Sequence, residues 1–345
     1  MMLDMERIET RYREYWAREN HDRPLMDIRA PKEKKGKIPE YAGTLKERWL
    51  DTEYIVKRER ILLENTYFAG DAVPQMNPNL GPDIFGAYFG CDLTFGEHTS
   101  WASKHFEELS QVDCSRLDRT NFWLQKTMEL TEAMVEESRG DYMVGITDIH
   151  AGLDALVSLR GPEELCFDLY EEPELVKEKT FQLCERFKEV YTLLNGILMK
   201  KQKGNVNWMG IYHPEGWYVT SCDFMGMISE EMYREFVEPE LREELAFLKN
   251  SIFHLDGPGA LRHLDSLLAI PELKGIQWVY GAGQPTAAHW VPVLKKIQDA
   301  GKLVHVTIVP SDLPALMENL RPEGVLYQVF CDSEEEADAV RKYVE

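Results

Sequence analysis

Short β-rich runs alternate with longer helical patterns along the whole chain, and this alternation limits the fold more than any other feature. Eight runs read as strands: residues 23–30, 67–73, 141–149, 205–212, 250–256, 275–281, 303–310 and 324–330. Several are mostly apolar, such as Leu303-Val-His-Val-Thr-Ile-Val-Pro310, as expected for strands covered on both faces. Helical patterns over 44–64, 117–138, 173–200, 229–249, 287–300 and 333–344 separate them. Boundary signals agree. Ser333-Glu-Glu-Glu336 predicts a capping box, Ser229 an N-cap, Pro173 a helix start and Gly301 a helix end. Eight strands with intervening helices predict an α/β fold of the (β/α)8 TIM-barrel type. An open doubly wound sheet is the alternative, but no Gly-rich phosphate loop follows the first strand. No linker, repeat or low-complexity stretch interrupts the pattern, so residues 1–345 are expected to form one barrel domain with an N-terminal helical extension.

The chain carries 39 Lys and Arg against 60 Asp and Glu, a formal charge of −21. Binding of nucleic acid or of an anionic membrane surface needs a basic face, so neither is an expected partner. No run reaches the 18 or so apolar residues of a membrane span. The start, Met1 to Ile8, is acidic early and lacks an export-type apolar run. Cys91, Cys114, Cys166, Cys184, Cys222 and Cys331 are scattered with no C-x-x-C pair, and a reducing cytoplasm is the expected location. A small-molecule substrate is expected, and a homodimer is compatible with such a chain.

In a barrel of this type the chemistry gathers at the carboxyl ends of the strands. The predicted ends supply Arg29, Asp71, Asp148-Ile-His150, His213, His254-Leu-Asp256 and Cys331. Residues i and i+2 of a strand share a face, roughly 6–7 Å apart. The pairs Asp148/His150 and His254/Asp256 can therefore hold a divalent metal such as zinc or act as acid–base pairs in which the carboxylate fixes the imidazole tautomer. A buried His bonded to a neighbouring Asp is the plain structural alternative for each pair. Tyr218, Trp278 and nearby aromatics such as Trp208 offer a pocket wall, or core packing.

Several segments resemble the uroporphyrinogen decarboxylase superfamily. They are Phe68-Ala-Gly-Asp71, Asn79-Leu-Gly-Pro82, Asp148-Ile-His-Ala-Gly-Leu-Asp154, Leu159-Arg-Gly161 and Thr220-Ser-Cys-Asp-Phe-Met-Gly-Met-Ile-Ser229, spread from residue 68 to residue 229. The resemblance implies the same barrel. It also implies either decarboxylation or methyl transfer with a corrinoid-protein partner. The decarboxylase pattern is poorly kept. Ile28-Arg29-Ala30-Pro31 holds one arginine where that branch has a two-arginine loop, and Phe330-Cys331-Asp332 replaces its late Gly-His-Gly. The methyltransferase branch binds zinc through His-x-Cys and a late Cys, and His254-x-Asp256 with Cys331 falls at those positions.

The expected activity is accordingly metal-assisted methyl transfer linked to a corrinoid. His254, Asp256 and Cys331 are the expected metal ligands, and Asp71, Asp148, His150 and Asp223 the expected catalytic groups. Arg29, His213, Tyr218 and Trp278 are expected against the substrate. A lyase or decarboxylase acting on a small carboxylated substrate, with Arg29 turned inward beside Asp71, is the alternative. A glycosidase or sugar-binding barrel, or a non-catalytic binding module, comes after these.

Overall fold

The computed structural model of the chain describes residues 2–103 and 106–345. Its strands are β1 (Leu25–Pro31), β2 (Thr66–Gly70), β3 (Gln75–Met76), β4 (Leu93–Phe95), β5 (Ser100–Ala102), β6 (Met143–Ile146), β7 (Val206–Asn207), β8 (Tyr218–Ser221), β9 (Ser251–Asp256), β10 (Gly275–Val279), β11 (Leu303–Ile308) and β12 (Val325–Phe330). Seven form one sheet in the order β2-β1-β12-β11-β10-β9-β8, and β3-β6-β7 form a second; β4 and β5 make a separate hairpin. All pairs in the two larger sheets are parallel except β1 with β2. The fold is thus mixed α/β with a parallel sheet. Among the described residues no hydrogen-bonded ladder joins the two sheets into the closed ring the alternation predicts.

The segment 67–73, expected as a parallel barrel strand, is instead the antiparallel edge partner of β1. Gly70, at φ +65, turns the chain so that Asp71 N–H reaches Met26 O, which ends the pairing. The parallel partner of β6 is the two-residue β3 that follows. In 205–212 only Val206 and Asn207 pair with β6, and β8, beyond Pro214 and Gly216, is an additional strand parallel to β9.

Helix ends follow their side chains. Ser229 Oγ accepts Met232 N–H and Ser333 Oγ accepts Glu336 N–H, while the Glu336 carboxylate reaches back to Asp332 N–H rather than closing a box on Ser333. Asp51 breaks the predicted 44–64 helix in two by capping Tyr54 N–H at 2.9 Å. Tyr233–Val237 is a π-turn, followed after Glu238 by Pro239, which has no N–H to continue an α-helical ladder. The helix Met5–Ala17 buries Tyr12 and Tyr15, and Tyr12 donates to the carbonyls of Asp71 and Gly210.

Strand parity decides which side chains meet. In the parallel register Ser221, His254, Gln277 and His305 lie in one row across β8 to β11, on one face of the sheet. Asp27, Arg29, Thr307 and Gln328 share that face. The opposite face is mostly apolar, with Thr220 and Ser251 bonded to each other, and carries Tyr218 and Trp278. Tyr218 packs on Phe187 and Tyr191, and Trp278 on Trp290. A core so lined on its helix side and polar on the other leaves the polar row for ligands.

Candidate active site

Asp223, His254 and Asp256 present one ligand atom each, all within 4.8 Å of one another. β9 supplies His254 and Asp256 from its last three residues, and Asp223 follows β8, the strand paired beside it. His254 Nδ1 lies 2.5 Å from Gln277 Oε1 on β10. A carbonyl oxygen only accepts, so the proton sits on Nδ1 and the Nε2 lone pair is free. That nitrogen is 3.9 Å from Asp223 Oδ1. Trp208 stands edge-on to the imidazole with ring centroids 5.3 Å apart. One imidazole nitrogen and two carboxylates suit a divalent cation at about 2.0–2.2 Å. The donor set therefore fits zinc, and harder ions equally well.

Asp223 is also anchored from behind. Asp154, in the first turn of the helix Gly152–Arg160, accepts Asp223 N–H at 2.9 Å and Phe224 N–H at 3.1 Å. Desolvation against the wall, then the charges of Asp154 and Asp256, push the Asp223 carboxyl up to about 6, while His254 and His150 pull it down. Its side chain is 61% exposed, so solvent screens much of this effect. A cation in the cluster relieves the same crowding.

His150 and Asp148 form an ion pair, Nε2 to Oδ1, at 2.6 Å. Burial lowers the imidazole's affinity for a proton, but Asp148, then Asp154 and Asp223, outweigh it and raise its pKa to about 9. His150, Asp154 and Asp223 line a cavity of about 340 Å³ walled by Phe85, Phe224 and Met227. The two sequence pairs thus meet through Asp223. Behind them Glu240 is buried, and burial with the charge of Asp154 raises its carboxyl to about 8.

Cys331 does not join the cluster. It follows β12, three strands from β9 and so about 14 Å along the sheet at the usual strand spacing. Burial, with the charges of Glu336 and Asp332, pushes its thiol up to about 11, unfavourable for the thiolate that zinc requires. With Arg29, Phe68 and Gln75 it lines a separate cavity of about 640 Å³. Arg29 does lie on the polar face, held in a two-point ion pair to Asp27 at 2.9 and 2.8 Å.

Asp71 and His213 lie at the other ends of the strands. Asp71 binds Arg23 at 2.5 and 3.0 Å and Met26 N–H at 3.0 Å, with Arg7 and Arg11 each at 3.7 Å, a knot at the start of β1. His213 pairs with Asn205 before β7 and packs on Trp16 of the N-terminal helix. Tyr218 and Trp278 face the helices, as above. These four residues take no part in the cluster, because parity and strand direction are set by pairing and not by residue type. Gln277, His305 and Asp27 were missing from the sequence-based set. Each is a polar residue inside a mostly apolar strand, which is the local signal that could have found them.

No family model matches the sequence, and no curated protein does. Among solved structures the chain is similar to a methyltransferase from Methanosarcina mazei, with a TM-score of 0.63 and 11% identity over 97% of this chain and 98% of that one. At that identity the likeness speaks to fold alone. A proposed alpha-L-fucosidase from Bacteroides thetaiotaomicron aligns at 10% identity over 94% of this chain, with a TM-score of 0.25, too low to carry an argument.

Proposed function

We propose that the protein is a methyltransferase in which Asp223, His254 and Asp256 hold a divalent metal, zinc by the sequence resemblance, and that it takes its methyl group from a corrinoid protein. The observation that carries this is the gathering of three metal-capable side chains at adjoining strand ends, with His254 oriented by Gln277. The neighbouring methyltransferase fold adds support, and on this reading the two parallel sheets are arcs of one barrel. Bound there, the metal supplies a Lewis acid that lowers the pKa of the methyl acceptor. Gln277 keeps the His254 proton on Nδ1, leaving Nε2 to bind. Asp154 fixes the backbone that carries Asp223. His150, held protonated by Asp148, places a positive charge in the cavity beside Asp223. Two carboxylates make a harder site than two thiolates, so an oxygen or nitrogen acceptor fits better than a thiol.

Metal analysis of the purified protein, before and after dialysis against zinc, tests the reading. One equivalent is expected, lost in His254→Ala and retained in Cys331→Ala. A metal-free wild type that also fails to take up zinc, manganese or cobalt ends it. Methyl transfer from methylcobalamin to a panel of acceptors then tests the reaction. A second reading, a lyase for a small carboxylate, has one favourable observation: Arg29 lies on the polar face and lines the larger cavity. Turnover that survives His254→Ala but not Arg29→Ala would select it.

A further inference from the structure

The polar face of the large sheet continues well beyond the metal-capable cluster. From Arg29 a hydrogen-bonded series runs inward: Arg29 to Asp27, Gln328 Nε2 to Asp27 at 3.1 Å, and Thr307 Oγ1 to Gln328 Oε1 at 3.2 Å. His305 follows two residues before Thr307 on the same face of β11 and is fully buried. Among the described residues both of its ring nitrogens lack a protein partner. It lies beside Gln277, which holds His254, so it stands between the cluster and the Asp27–Arg29 pair.

Further buried groups are in the same condition. Asn207 Nδ2, Trp208 Nε1 and Gln75 Oε1 have no partner among the described residues. They are connected to the row by contact. Trp208 packs on His254, Gln75 donates through Nε2 to Asn207 O at 2.8 Å, and Gln75 lines the 640 Å³ cavity together with Arg29. Buried polar atoms are nearly always hydrogen-bonded, and leaving one unpaired costs stability. His305 on the polar row and Trp208 against His254 therefore offer unpaired polar atoms that a ligand could satisfy.

The chemistry of the set defines that ligand. Asn207 Nδ2 and Trp208 Nε1 are donors, Gln75 Oε1 is an acceptor, and a neutral imidazole offers one of each. Burial lowers the pKa of His305 to about 4 against the opposing charge of Asp27, with His254 and Arg29 adding to the fall, so it adds no charge at neutral pH. Arg29 is already compensated by Asp27. We infer that the buried polar surface running from Arg29 to His254, with His305 at its middle, binds an uncharged small molecule that carries adjacent hydrogen-bond donors and acceptors. A polyol or a lactam heterocycle has that chemistry, and the one guanidinium of the row is already held by Asp27. The inference does not depend on methyl transfer or on bound metal.

The test uses the whole chain stripped of metal with a chelator, and three probes: D-xylose, uracil and citrate. Ligand-detected NMR titration is expected to show saturable binding of xylose or uracil and none of citrate. Which of the two binds distinguishes a polyol from a lactam source. In His305→Leu the affinity for that probe should fall at least tenfold, while the melting temperature without probe should rise, because unpaired buried polar atoms have been replaced by an apolar group of similar size. A merely structural histidine would give the opposite shift. Asn207→Leu, expected to lose probe affinity as well, serves if His305→Leu does not fold. Absence of binding by both uncharged probes, equal binding of citrate, or probe affinity within twofold of wild type in both variants overturns the inference.

Discussion

The hydroxyl of Tyr218 accepts the N–H of Ile149 at 2.8 Å and donates to the carbonyl of Thr147. One buried phenol thereby clamps the backbone on both sides of Asp148 and, one residue on, His150. Tyr218 is a positioning residue of the site although it never faces the cavity.

Tyr218→Phe leaves that N–H and carbonyl unpaired in the core. The expected loss is about 1–3 kcal/mol of stability, read by urea denaturation, with a fall in the His150 pKa by NMR as its pair with Asp148 loosens. An unchanged unfolding midpoint would show that the clamp has no energetic role.

Gln277→Leu removes the acceptor that orients His254 without touching a ligand atom. Zinc affinity by calorimetry should drop by roughly 10–100-fold, the usual effect of losing such an outer partner, while the fold persists. If affinity stays at the wild-type value, His254 is not oriented from β10.

Asp71→Ala leaves Arg23 without its carboxylate and Arg7 without a nearby one, while Arg11 keeps Glu14 and Asp22, at a site where Asp71 is 6% exposed. A penalty on the order of 3–5 kcal/mol is expected, with metal binding retained in whatever fraction folds. Loss of metal at full stability would return Asp71 to the active site.

Stability should fall on both sides of neutral pH, for different histidines. His305 and His213 are held near 4, below the ordinary 6.5, chiefly by burial. The unfolded chain takes up these protons first, so stability is lost as pH falls from 6.5 towards 4, by on the order of 3 kcal/mol for each group. His150, raised to about 9, has the opposite sign: its contribution is complete below 6.5 and disappears as pH rises through 9. Melting temperatures across pH 4–10 check both limbs, and His305→Leu should flatten the acid one. An acid limb identical in that variant counts against the burial argument.

Much of the architecture was legible in the chain because its signals are local. Apolar runs located β1, β9, β10, β11 and β12 to within a few residues, and Ser229, Pro173 and Gly301 marked helix ends where the structure has them. β3 and β7, with two residues each, and β8, which follows a Pro and a Gly, lacked the length for a periodic pattern. They pair because neighbouring strands offer them a ladder.

The candidate site divides along the same line. Spacing alone placed His254 with Asp256, since residues two apart on a strand share a face whatever surrounds them; Asp148 and His150 also pair, but in the segment beyond β6, which ends at Ile146 and not at 149 as expected. Which strand lies beside which is a long-range matter. It brought Asp223 rather than Cys331 to His254, turned Tyr218 and Trp278 towards the helices, and put Asp71 and His213 at the opposite strand ends. The sequence by itself determined the two local pairs, close neighbours along the chain; only tertiary pairing, set by the register between distant segments, decided which pairs share a site.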